Sequence, residues 1–247
     1  EITDRINMDY EFDMVTLYAG ENRQEKIGNI NVYRVGPKID AKQGKSVKIS
    51  HFIKIIYIFS ALIKALLLNR KRKYDFIWSI MASFSGFSAL FFKYINKQTP
   101  FVLTLQEGDS LEHIQKSFGI TYPISRLLYK KIFAKADYIQ AISKFLSDYA
   151  KDMGAVCNIE VIPNAVDFKL FSSPQQQGQI KALKSELGIK DEENIIITTS
   201  RLVQKNAVGD IVDSMSFLPK NTKLLILGIG SQEDFLKEKV SLLKLED

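Results

Sequence analysis

Short apolar runs alternate with helical patterns along this sequence, which predicts a doubly wound α/β fold in two domains, the second incomplete. Three observations carry that expectation. Strand-like runs occur at 13–18, 30–35, 74–80, 101–106, 137–142, 159–163, 194–200 and 222–228. Several are near-continuous in β-branched or aromatic residues. Ile195, Ile196, Ile197 and Thr198 have the pattern of a parallel strand buried on both faces. Helical spacing fills the stretches between the runs. Finally, 172–178 is polar and turn-rich, with Pro174 followed by Gln175, Gln176 and Gln177, and reads as a linker.

Each element has its own signal. Leu146, Tyr149, Ala150 and Met153 fall at i, i+3, i+4 and i+7, with Ser143 in the N-cap place and Gly154 in the C′ place. Val208, Ile211, Val212 and Met215 repeat that spacing. Ser231 with Asp234 resembles a capping box ahead of Phe235, Leu236, Val240 and Leu243. The linker divides the chain into 1–172, with about six strands, and 173–247, with two. Two strands cover too little apolar surface for a stable open sheet, so the second domain is expected to be incomplete.

Composition narrows the function classes. With 46% hydrophobic and 25% charged residues, the chain reads as globular rather than disordered. The net charge of +6 favours phosphates or acidic lipid surfaces as company. Nucleic acid is not expected, because no aromatic-interleaved basic platform accompanies the charge. Cys157 is the single cysteine, which excludes an internal disulfide and fits a cytoplasmic protein. With two histidines, His51 and His113, a multi-histidine metal site is not expected. The apolar run 52–68 contains Lys54 and Lys64, and a bilayer span needs about 20 mostly apolar residues, so a buried or interfacial helix is expected there. No secretory signal is seen at 1–11.

Four segments carry chemistry. In the first, Val161, Ile162, Pro163, Asn164, Ala165, Val166 and Asp167 form a rigid exit from a strand, where Pro163 ends strand pairing and Asn164 suits an Asx-type turn. The second is Thr199, Ser200, Arg201, Leu202, Val203, Gln204, Lys205 and Asn206, between a strand and a helix. The carboxyl end of a strand opening into a helix is where open α/β sheets hold phosphate. Arg201 offers a planar fork and Lys205 a point charge for such an anion. At the third, Gly228, Ile229 and Gly230, glycines permit either a close ligand approach or a tight strand-to-helix turn. The fourth holds Gln106, Glu107 and Asp109 after a strand, open to two readings: hydroxyl-binding groups or a plain loop.

The first two segments, in this order and joined by a linker of sensible length, closely resemble the family-4 retaining glycosyltransferases (group 1, GT-B type). The resemblance implies two Rossmann-like domains. The first lies on the acceptor side and lacks its first strand, since 2–9 reads as a helix end. The second is the start of the nucleotide-sugar domain. It further implies transfer of a sugar from a nucleotide-diphosphate donor to an acceptor hydroxyl of a glycan or lipid-linked precursor, with retention and with neither cofactor nor metal. Arg201 and Lys205 would hold the donor diphosphate, and Ser200, Asn206, Gly228 and Gly230 would line the donor cleft. Pro163, Asn164 and Asp167 would form the interdomain junction. Gln106, Glu107 and Asp109 would face the acceptor, although relatives place a histidine near Gln106. Ala165 replaces the usual glycine of the junction, and Asn206 with Ala207 stands where a glycine commonly follows the lysine.

Glu238 and Glu246 reproduce by count the family's paired-glutamate spacing. Their surroundings, with Lys237, Lys239 and Lys244, read as a solvated helix face, and the true pair is expected beyond residue 247. Catalytic residues are not assigned, and the segment by itself is expected to be inactive. Arg70, Lys71, Arg72 and Lys73 suit a helix C-terminus or attraction to anionic lipid at the inner face of a membrane. Alternatives to transfer are a nucleotide-sugar epimerase of the same architecture and a non-catalytic protein that binds nucleotide sugar or membrane.

Overall fold

The computed structural model describes residues 10–39, 49–107, 122–172 and 177–246. Two compact units divide the chain, Glu1–Ala165 and Val166–Asp247. That division falls at the strand exit beside Pro163 rather than at 172/173. Residues 173–176 of the polar linker, and the stretch 2–9, lie outside the described residues.

The first unit opens with β1 (Phe12–Ala19), β2 (Gln24–Ile27) and β3 (Ile30–Ile39) in a sheet of order β1-β3-β2. β1 runs parallel to β3, and β2 is antiparallel to it. Sequence patterning gave no sign of β2, whose one apolar residue is Ile27. A tight turn through Gly28, at φ 57°, folds it onto β3. Next come α1 (His51–Lys71), β4 (Ile77–Ile80), α2 (Phe84–Ile95), β5 (Phe101–Leu105), α3 (Tyr122–Lys135), β6 (Tyr138–Ala141), α4 (Lys144–Asp152) and β7 (Asn158–Val161). β4, β5, β6 and β7 form a parallel sheet in that order.

The core lies where the helices cover this second sheet. Leu90, Phe101, Leu103, Ile132, Phe133 and Ile139 are fully buried. Gly86 lets α2 approach α3 closely, because a Cβ there would come within 3.1 Å of Ile132 Cδ1. The ends of α4 match the sequence reading: Ser143 Oγ accepts from Leu146 N–H, and Gly154 adopts φ 96° past the last turn. Asp13 of β1 ties distant segments together. Its buried carboxylate accepts from Asn31 Nδ2 at 2.8 Å and from the Tyr74 hydroxyl, with Arg72 Nε 3.8 Å away. Burial and the Asp13 carboxylate both push the Tyr74 phenol well above its usual pKa.

At 21 residues α1 is long and apolar enough to cross a membrane by length and composition, so the shortness inferred from 52–68 does not hold. One side of it packs on the unit, with Ile58, Ala61 and Leu68 buried. The two lysines of its apolar run turn to aromatic rings, Lys54 over Phe84 and Lys64 over Tyr33.

The second unit holds α5 (Phe168–Phe171), α6 (Gln177–Glu186), β8 (Asn194–Thr199), α7 (Val208–Ser214), β9 (Thr222–Leu227) and α8 (Glu233–Leu242). β8 and β9 pair in parallel from Asn194↔Thr222 to Thr199↔Leu227. Leu202, Val208, Val212 and Leu236 form its core, with Leu224 and Ile226 against them. The expectation that β8 is buried on both faces fails at Ile197, which is exposed because no described helix covers that face. The capping box read at Ser231 is also absent. The N-cap of α8 is Gln232, without a side-chain cap bond, and Glu233 and Asp234 instead sit in the first turn, where the helix dipole favours them.

Candidate functional site

The geometry around Arg201 follows from how β8 ends. After Thr199 the backbone keeps pairing with the chain beyond β9: Ser200 N–H donates to Leu227 O at 3.1 Å, and Leu202 N–H to Ile229 O at 3.0 Å. Gln232 N–H closes the turn on Leu202 O at 2.9 Å. The Leu202 side chain is buried in the core of the unit, whereas Arg201, its neighbour, is exposed. An anchored leucine thus fixes the backbone that presents the guanidinium. Arg201 makes no ion pair among the described residues.

Lys205 lies in the 3-10 turn Gln204–Asn206 and is exposed. Asn206 braces this loop by donating from Nδ2 to Arg201 O at 2.8 Å. Ala207 then takes a left-handed φ of 51° before α7 begins. That conformation favours glycine, which accounts for the glycine expected after the lysine. Arg201, Lys205 and Asn206 therefore share one loop at the carboxyl end of a parallel strand. Ser200 Oγ, at its base, is enclosed and has no hydrogen-bond partner among the described residues. Cations at Lys237 and Lys239 are committed elsewhere, to Glu233 and Asp213.

Gly228 and Gly230 have a structural explanation. A Cβ at Gly228 would lie 1.9 Å from Ser200 O, and one at Gly230 would lie 2.2 Å from Leu202 O. Both glycines let two backbones meet, and that contact shapes the Arg201 loop. Glu238 is exposed on α8, and Glu246 is exposed past the helix end, in line with a solvated face.

In the first unit, Gln106 and Glu107 follow β5 at the carboxyl edge of the parallel sheet, half-buried and exposed respectively. Asp109 and His113 lie outside the described residues. Two features at that edge escaped sequence reasoning. Met81, just past β4, adopts φ 70° while its N–H donates to Thr104 O at 2.7 Å. Beside it a polar ladder crosses the strands: Trp78 Nε1 donates to Thr104 Oγ1 at 2.9 Å, Thr104 Oγ1 to Gln140 Oε1 at 3.0 Å, and Gln140 Nε2 to Ile162 O at 3.4 Å. The ladder holds the start of the junction. Ile162 N–H makes the last strand bond, to Ala141 O, and Pro163 has no N–H to continue it. Asn164 makes no side-chain hydrogen bond among the described residues, contrary to the expected Asx turn. Asp167 supplies the cap instead, accepting from Lys169 N–H and Leu170 N–H at the start of α5. No cluster of three or more metal-ligating side chains occurs among the described residues.

Comparison with known proteins agrees with this architecture. The chain is similar to alpha-monoglucosyldiacylglycerol synthase of Streptococcus pneumoniae, 27% identical over 146 residues, which cover 58% of this chain and 33% of that protein. It is also similar to the enzyme of the same name from Acholeplasma laidlawii, 29% identical over 84 residues, 32% of this chain and 21% of that one. The chain thus spans a third or less of these relatives. Among solved structures, Anabaena HepE in complex with UDP superposes with a TM-score of 0.63 at 17% identity, over 89% of this chain and 54% of that one. Sucrose-phosphate synthase of Thermosynechococcus elongatus gives 0.69 at 15% identity, over 95% and 58%. At such identity these two likenesses show the fold, two Rossmann-like units of the GT-B type. Residues 7–170, more than half of the chain, match the sequence model of Glycosyltransferase Family 4, and the protein belongs to that family.

Proposed function

We propose that the protein transfers a sugar from a nucleotide-diphosphate donor to a hydroxyl of a membrane glycolipid, with retention and without a resident cofactor or metal. The observation that carries this reading is the loop at the end of β8, where Leu202 is buried and Arg201 and Lys205 are exposed. The acceptor oxygen bonds the anomeric carbon and its proton passes to the departing diphosphate, on which negative charge grows as its bond to that carbon breaks. Fixed cations at that place offset it. The loop's backbone is the neighbouring donor. Gln106 and Glu107, at the carboxyl edge of the other parallel sheet, are proposed to meet acceptor hydroxyls.

The lipid acceptor is supported by the two relatives, whose names describe synthesis of a glucosylated diacylglycerol. The nucleotide donor is supported by the HepE complexes with UDP and UDP-glucose. With a glycolipid acceptor the work lies at a membrane surface, and we propose its cytoplasmic side. The test is a donor panel on the full-length gene product, with diacylglycerol and monoglucosyldiacylglycerol as acceptors and product configuration read by NMR. Labelled glycolipid of retained configuration from one donor, lost in Arg201→Ala, is the expected outcome. An altered sugar nucleotide formed without any acceptor would identify an epimerase instead.

A further inference from the structure

The outward face of α1 carries an apolar stripe that the unit leaves uncovered. Phe52, Ile55, Phe59, Ile63 and Leu67 follow one another at i, i+3, i+7, i+11 and i+15, and all are exposed, Phe52 by 73%. That spacing keeps them on one side of a helix about 30 Å long. Phe59 stacks on Phe91 of α2, with ring centroids 6.3 Å apart, so the stripe borders that helix. Lys54 and Lys64 do not interrupt it, because they lie over the rings of Phe84 and Tyr33.

Cations continue the stripe at its C-terminal end. Arg70 follows Ile63 by two turns and Lys71 follows Leu67 by one, and both are exposed, as is Lys73. Arg72 is held by Glu11 at 2.9 Å, whereas Arg70, Lys71 and Lys73 make no ion pair among the described residues. The sequence of α1 contains no aspartate or glutamate. A second copy of this helix therefore offers no countercharge to the basic end, and an anionic lipid surface does.

We infer that α1 docks flat on an anionic bilayer, with Phe52, Ile55, Phe59, Ile63 and Leu67 among the acyl chains and Arg70, Lys71 and Lys73 at the headgroups. Apolar burial supplies the holding force, and the cations select the lipid. The inference deepens the reading of a glycolipid acceptor by naming the surface that meets its membrane. Vesicle binding requires neither donor nor turnover, so the two readings fail separately.

The experiment is flotation of the whole chain with vesicles of phosphatidylglycerol and phosphatidylcholine in equal parts, and with phosphatidylcholine alone. Partition into the anionic vesicles is expected to be about tenfold or more the stronger. Arg70→Ala/Lys71→Ala/Lys73→Ala should erase that preference, and Phe59→Ser/Ile63→Ser should lower partition about tenfold in a protein that still melts cooperatively. As a check that needs no loss of stability, Ile63→Trp should show blue-shifted emission on the anionic vesicles and quenching by brominated acyl chains. Absent binding, wild-type binding by Phe59→Ser/Ile63→Ser, or unshifted emission from Ile63→Trp on bound protein would overturn the inference. A concentration-dependent dimer that Phe59→Ser/Ile63→Ser disperses, with vesicle binding unaltered, would assign the stripe to a second copy and also overturn it.

Discussion

In the first unit β5 buries Phe101 and Leu103 completely, whereas in the second unit β8 leaves Ile197 59% exposed. Both strands are parallel and similarly apolar, so residue type does not set the difference. β5 has a strand on each side and helices over its sheet, with α2, α3 and α4 contributing to one core. Among the described residues, β8 has one neighbour, β9, and a core cluster of four buried residues. The depth of burial comes from the number of covering elements, and a sequence window of strand length does not report it.

The sharpest way to break the comparison is a pair of truncations. Leu103→Ala should cost the first unit about 2–5 kcal/mol in urea denaturation, the range for a buried leucine. Ile197→Ala should cost the second unit less than about 0.5 kcal/mol. Equal losses would mean that the outer face of β8 is covered. Gly228→Ala and Gly230→Ala come next, at about 3 kcal/mol or more each, because the added methyl meets a backbone oxygen. The loss should appear without any nucleotide present, which distinguishes backbone contact from ligand approach. Asp167→Ala, which removes the cap of α5, should cost about 1 kcal/mol by the same measurement. Smallest is Ala207→Gly, expected to stabilise the second unit by about 0.5–1 kcal/mol by relieving the left-handed backbone.

The Tyr74 phenol adds a pH dependence to the first unit. Its folded pKa is raised, so its contribution to stability is complete below the unfolded value near 10 and is lost as pH climbs beyond it. Thermal melts of Tyr74→Phe should therefore lose less stability than wild type between neutral and strongly alkaline pH.

Much of this architecture was legible because its parallel strands are continuous apolar runs. β1, β3, β5, β6, β8 and β9 lie within the runs or differ from them by a few residues. β2 was not legible, since a half-exposed edge strand with one apolar residue has no such signature. Arg201 and Lys205 stood out because a strand end and a helix start bracket them. The roles of Gly228 and Gly230 depend on which backbone lies opposite, and the ladder of Trp78, Thr104 and Gln140 depends on strand register. Both are long-range facts that no local pattern contains. Asp167 and Asn164 show the same limit at short range: two residues able to cap stand three positions apart, and the cap bonds form at the second.

The central claim is that the loop after β8 holds the diphosphate of a nucleotide sugar, and calorimetric titration of UDP into the 247-residue chain tests it most directly. Wild type should bind, and Arg201→Ala and Lys205→Ala should each weaken binding roughly tenfold with unchanged stability. Absence of binding by the wild type, or wild-type affinity in both variants, would contradict the assignment.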